Sequence, residues 1–108
     1  SSITDRRDFY AGLYQPATTP RPSLEALLRS YLEVGAPAYR AENFLPVPPG
    51  TARDYSNLGA TLAAFVVERV AGERFDAHVA RVLFAPLGLR TATWSPPGTG
   101  RADDTQLY

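Results

Sequence analysis

Apolar positions recur at helical spacing in three stretches of the chain. Leu24, Leu27, Leu28, Tyr31 and Leu32 fall at i, i+3, i+4, i+7 and i+8, the stripe of an amphipathic helix. Ser23 stands at the capping position before it, and Glu25 brings a carboxylate to the positive end of the helix dipole. Gly35 and Pro37 follow as stop signals, so the pattern predicts a helix over 23–34. A second helix is predicted over 58–71. Leu58, Leu62, Phe65, Val66 and Val70 form its stripe, Ser56 or Asn57 can cap it, and Gly72 ends it. Ala60, Ala63, Ala64 and Val67 fill much of its remaining surface, leaving Thr61, Glu68 and Arg69 as the clearly polar positions. A helix apolar nearly all round belongs in an interior. The third stripe, Phe75, Val79, Val82 and Leu83, predicts a helix over 75–85 that Pro86 stops. Its start is poorly marked, because Arg74 is a weak cap.

The rest reads as loop. Asp5 to Pro22 contains three prolines, and Gly35 to Tyr55 contains four, with Gly50 directly after the last of them. Arg90 to Trp94 alternates weakly, as a short strand would. Two connections of about 20 residues without regular structure are uncommon in a self-contained domain. Together with the nearly all-apolar helix over 58–71, they predict that residues 1–108 form a single helical segment of a larger domain. The remainder of that domain is expected to pack on the helix 58–71. The start at Ser1-Ser2, without Met, reads the same way, as a processed or excised end. Mainly α structure is expected, as three helices with long irregular loops.

Composition narrows the chemistry. The formal net charge is +0 over 108 residues, so the basic footprint of a nucleic-acid binder is missing and no nucleic-acid partner is expected. The longest strictly apolar run, Leu62 to Val67, is six residues, far short of the roughly 20 that a membrane-spanning helix needs. There is no Cys, which removes disulfides, thiolate metal sites and cysteine nucleophiles. There is no Lys either; all 11 basic residues are Arg. No lysine general base, Schiff base or P-loop lysine can therefore come from this chain. No metal or cofactor is expected.

Tyr55-Ser56-Asn57 lies directly before the second helix. Its plainest reading is structural: Ser56 or Asn57 as an N-cap, and Tyr55 as a half-buried aromatic with a wet hydroxyl. The surroundings add to this. Pro48-Pro49-Gly50-Thr51-Ala52-Arg53-Asp54-Tyr55-Ser56-Asn57-Leu58-Gly59 is followed by an apolar helix ending Glu68-Arg69-Val70-Ala71-Gly72. Phe75 then opens a helix closing Leu83-Phe84-Ala85-Pro86-Leu87-Gly88-Leu89-Arg90-Thr91. This order and spacing, over roughly Phe44 to Thr93, resembles the serine β-lactamase and penicillin-binding-protein-like hydrolases. Within that superfamily it looks most like the branch of class C β-lactamases, D-alanyl-D-alanine carboxypeptidases and related esterases. Ser1-Ser2-Ile3 resembles the end of that family's His-Thr-Ser-Gly segment, with Ser2 where Gly is expected.

The resemblance implies a helical subdomain fragment of a β-lactamase/transpeptidase-like α+β fold. It also implies a pocket built from a Ser-x-x-Lys nucleophile, a Tyr-x-Asn and a Lys/His-Thr/Ser-Gly strand. Tyr55 and Asn57 match the second of these as catalytic residues. The first cannot be present without Lys, and the third is missing: His78 is followed by Val79-Ala80, and Thr99-Gly100 lacks a basic residue before it. The expected activity is acyl transfer on a small-molecule β-lactam, peptidyl-D-alanine or ester, carried out by the parent protein. The alternatives are a small helical interaction module and a catalytically degenerate family member. Three other features carry weaker signals. His78, one residue before a core position, reads as a partly exposed helix histidine without a carboxylate neighbour. Asp103-Asp104 reads as a solvated turn. Phe9, Tyr10, Leu13 and Tyr14 are either pocket lining or a hydrophobic anchor for a long loop.

Overall fold

The computed structural model describes residues 2–14, 20 and 22–94. The elements, in chain order, are α1 (Arg7–Ala11), α2 (Leu24–Leu32), one 3₁₀ turn at Ala41–Asn43, α3 (Asn57–Ala71) and α4 (Phe75–Val79). After α4 the chain continues in a wider turn over Ala80–Phe84, with Ala85 N–H donating to Ala80 O at 2.9 Å and Leu89 N–H to Phe84 O at 2.9 Å. The described residues are thus mainly helical, as the three apolar stripes predict, and contain no sheet. The β pairing described is one antiparallel bridge between Ile3 and Phe44. Arg90 to Trp94 is not a strand: no described residue offers it a ladder. Trp94 instead meets Phe75 edge-on, with ring centroids 5.2 Å apart.

The helix ends follow local chemistry. Ser23 accepts the Ala26 N–H at 3.1 Å and caps α2. The helix stops at Leu32, two residues before the predicted end, because Glu33 turns to an extended ψ of 127°. Gly72, at φ +70°, provides the left-handed turn that closes α3. Arg74 gives α4 no side-chain cap. The cap comes from α3, where Glu68 accepts the Phe75 N–H at 2.9 Å.

The chain divides into two compact units, residues 1–66 and 67–108. The first holds the core: Ile3, Tyr31 and Leu58, surrounded by Phe9, Leu27, Leu32, Ala38, Phe44 and Leu62. Tyr31 is its centre, at 0% exposure. Its hydroxyl donates to Thr4 O at 2.9 Å and accepts the Arg6 N–H at 3.0 Å. Buried Asn43 donates to Tyr31 O at 2.7 Å and to Ala38 O at 3.1 Å, and accepts from the Arg6 guanidinium at 3.1 Å. The Thr4 N–H donates to Asn43 O at 2.9 Å, and the Leu45 N–H to Ser2 O at 2.7 Å. Residues 2–6 are therefore fixed on both sides by backbone and buried polar groups. Along α3 the burial falls away: Leu58 is buried, whereas Val66 and Val70 are 53% and 84% exposed.

Candidate functional site

Fixing residues 2–6 brings Asp5 to the N-terminus of α3. Its carboxylate accepts four hydrogen bonds there. The Ser56 hydroxyl and the Leu58 N–H donate to Oδ1 at 2.7 and 3.1 Å. The Asn57 N–H and the Asn57 side-chain amide donate to Oδ2 at 2.7 and 2.8 Å. The Ser56 hydroxyl oxygen in turn accepts the Gly59 N–H at 2.9 Å, so Ser56 is the N-cap of α3. A helix start leaves several backbone N–H groups without partners and carries positive dipole charge. Ser56 and Asp5 answer both. Partial burial pushes the Asp5 carboxyl upward, but the bonds from Ser56, Asn57 and Leu58 outweigh it and hold the group below the usual carboxylate value.

The Tyr-x-Asn element is accordingly split in its environment. Ser56 is buried and Leu58 is buried, while Tyr55 is 78% exposed. Asn57 opens α3 and shares a cleft with Tyr10, and Tyr55 lies two residues before it in the chain. Burial and the adjoining Tyr14 phenol push the Tyr10 hydroxyl above its ordinary value, with smaller contributions from Asp5 and Tyr55. Asp5, Arg7, Tyr10, Ala11, Tyr14 and Asn57 line a cleft of about 400 Å³, a size ordinary for small-molecule sites.

The aromatic cluster at the start of the chain thus does both things the sequence allowed. Phe9 packs on Tyr31, with centroids 4.6 Å apart, while Tyr10 and Tyr14 line the cleft. Asp5 is the residue that sequence reasoning missed. It lies 52 positions from Asn57, in a stretch that reads as loop, and no local spacing signals the pairing.

His78 needs a correction. It does have a carboxylate neighbour: its Nδ1 lies 2.8 Å from Glu73 Oε1, five residues earlier. Arg81 and then His78, both bonded to Glu73, hold that carboxyl below its usual range. This is a surface network at the start of α4, and no nucleophilic side chain joins it in these bonds. Asp103, Asp104 and Thr99-Gly100 lie outside the described residues. Among the described residues no helix is long and apolar enough to cross a membrane.

The Beta-lactamase family model matches residues 9–108, nearly the whole chain and well beyond the half that the motifs span. The chain therefore belongs to the Beta-lactamase family, within the serine β-lactamase and penicillin-binding-protein-like hydrolases. No curated protein and no solved structure gives a significant match.

Proposed function

We propose that this chain supplies the Tyr-x-Asn element of an acyl-transferring serine hydrolase whose nucleophile lies outside these 108 residues. Its substrate class is that of β-lactams, peptidyl-D-alanine or related esters. In this reading, Tyr55 takes the proton of the attacking serine hydroxyl as the Ser–O bond to the carbonyl forms. It returns the proton to the leaving group as the scissile bond breaks, leaving an acyl-serine that water later hydrolyses. A phenol has an ordinary pKa near 10 and is a weak base at neutral pH. A neighbouring ammonium, such as the family's Ser-x-x-Lys lysine, favours its ionised form. Asn57 orients the substrate without titrating.

One observation carries the reading: Tyr55 is exposed while the residue on its C-terminal side is buried and Asn57 is fixed by Asp5. The Tyr55 ring takes no part in the core of this chain. Exposure on a rigid stem is what a group reaching toward an incoming substrate requires. The exposed flank of α3 at Val66 and Val70 supports the companion inference that the chain is one helical part of a larger domain, the remainder of which covers that helix. General acid–base groups contribute about 10²–10⁴-fold in rate. Tyr55→Phe in the parent protein should therefore lower kcat at least ~100-fold, with little loss of stability. Steady-state kinetics on nitrocefin, a D-alanyl-D-alanine peptide and p-nitrophenyl acetate would check this. A variant within a few-fold of the parent would make Tyr55 a surface residue.

A further inference from the structure

The cleft beside Asn57 has a built pattern of its own. Arg7, Tyr10, Ala11 and Tyr14 stand at i, i+3, i+4 and i+7. They share one face because α1 (Arg7–Ala11) continues in helical turns, with Leu13 N–H donating to Tyr10 O at 3.0 Å and Tyr14 N–H to Ala11 O at 3.3 Å. The other face of α1 is spent on the core through Phe9. The two tyrosines meet edge to face, with centroids 5.6 Å apart and planes at 80°. Ala11 adds no bulk between them. The result is an aromatic wall with a small floor, open to a flat apolar group.

The charges at its rim are unequal. Asp5 lines the cleft, but its two oxygens already accept four hydrogen bonds at the positive end of α3. Arg6 is engaged by Asp8 at 2.8 Å and by Asn43 at 3.1 Å. Arg7 has no ion-pair partner among the described residues and is exposed at the cleft. The charge left for a ligand is therefore a guanidinium, whose planar donors match a carboxylate in a two-pronged geometry.

Resting on the reading of Tyr55 and Asn57 as the reacting end of the site, we propose that this cleft is the acyl-side subsite. It selects substrates whose acyl group carries an aromatic ring and, beyond it, a carboxylate that Arg7 binds. That narrows the substrate class to anionic aromatic acyl donors and sets it apart from simple neutral esters.

The test separates the subsite from the chemistry by reading binding alone. In the parent protein, 4-carboxyphenylacetamide and its isosteric neutral partner 4-carbamoylphenylacetamide are titrated by calorimetry or ligand-observed NMR. A charge-assisted bond at an exposed site predicts about tenfold tighter binding of the carboxylate at low salt. The preference should shrink as ionic strength rises toward about 0.5 M. Arg7→Gln should reduce it to within about twofold, and Tyr14→Leu should weaken both ligands together. Equal binding of the pair, no binding of either, or a preference that survives Arg7→Gln would overturn the proposal. Tyr55→Phe tells the two readings apart. A charge preference intact in Tyr55→Phe, with turnover unchanged, sinks the catalytic role and keeps the subsite. Lost turnover without any charge preference does the reverse.

Discussion

Asp5 offers the sharpest physical test, because one carboxylate joins the core segment to the start of α3. Asp5→Ala removes all four hydrogen bonds at that junction. Loss of a helix-capping side chain costs about 0.5–2 kcal/mol. Loss of a partly buried charge at a helix N-terminus costs up to about 2 kcal/mol. These describe overlapping parts of one contact, so a total of about 2–3 kcal/mol is expected for Asp5→Ala. Asp5→Asn keeps the shape, but it loses the charge and turns one acceptor into a donor facing N–H groups. It should cost about 1–2 kcal/mol. The pH dependence has a definite sign. Asp5 sits below its ordinary pKa in the folded chain, so its stabilisation is present above the unfolded value, near 3.9, and is lost as pH falls through the lower folded value. Urea titrations of the parent protein and both variants, at neutral pH and at steps below about pH 4, measure this. The gap between parent and Asp5→Asn should close as the pH is lowered. An Asp5→Ala penalty under about 0.5 kcal/mol, or a gap to Asp5→Asn that widens in acid, would refute the assigned role.

Three further outcomes are expected. Tyr31→Phe leaves Thr4 O and the Arg6 N–H without their buried partner and should cost about 1–3 kcal/mol by chemical denaturation, with the far-ultraviolet spectrum kept. The isolated 108 residues should turn over nitrocefin and p-nitrophenyl acetate no faster than buffer, since no Ser-x-x-Lys pair is available to activate a nucleophile; labelling of any serine by a fluorophosphonate would contradict this. The isolated chain should self-associate or melt broadly, because Val66, Val70, Leu87 and Trp94 are each more than half exposed; a monomeric sample with one sharp transition would count against it.

What the sequence made legible is what local periodicity and capping determine. α2 and α3 are placed to within two residues because their stripes, Ser23, Ser56 and Gly72 all act within a turn of the chain. α4 is predicted as one regular helix to 85, yet it widens after Val79 into i→i+5 bonding, which no stripe distinguishes. The rest depends on contacts across sequence distance. α1 hides in a stretch that opens with Asp5 and runs into prolines, and it is held by Phe9 on Tyr31 rather than by a cap. The cap of α4 comes from Glu68, one helix back. In the candidate site, Tyr55 and Asn57 were legible as a motif and Ser56 as a cap. Asp5, Arg7 and the cleft were not, because they reach the motif only once residues 2–6 are threaded between Asn43 and Tyr31.

That threading explains how an exposed tyrosine can still be held in position. An exposed side chain has little packing of its own, so its backbone takes its support from its neighbours. Here the support is layered. Tyr31 and Asn43 hold Thr4 and Arg6 from the core side. Asp5, between them, holds Ser56, Asn57 and Leu58. Tyr55 is the next residue back along the chain. The order of the layers has a consequence for mutations. A change at Tyr31 should reach Tyr55 through Asp5, so Tyr31→Phe and Asp5→Asn share one route and their penalties should be less than additive. Pairs with no common partner, such as Tyr31→Phe with a change at Arg81, should add to within about 0.5 kcal/mol. A double-mutant cycle showing strict additivity for Tyr31 and Asp5 would mean that the core and the Tyr-x-Asn element are supported independently.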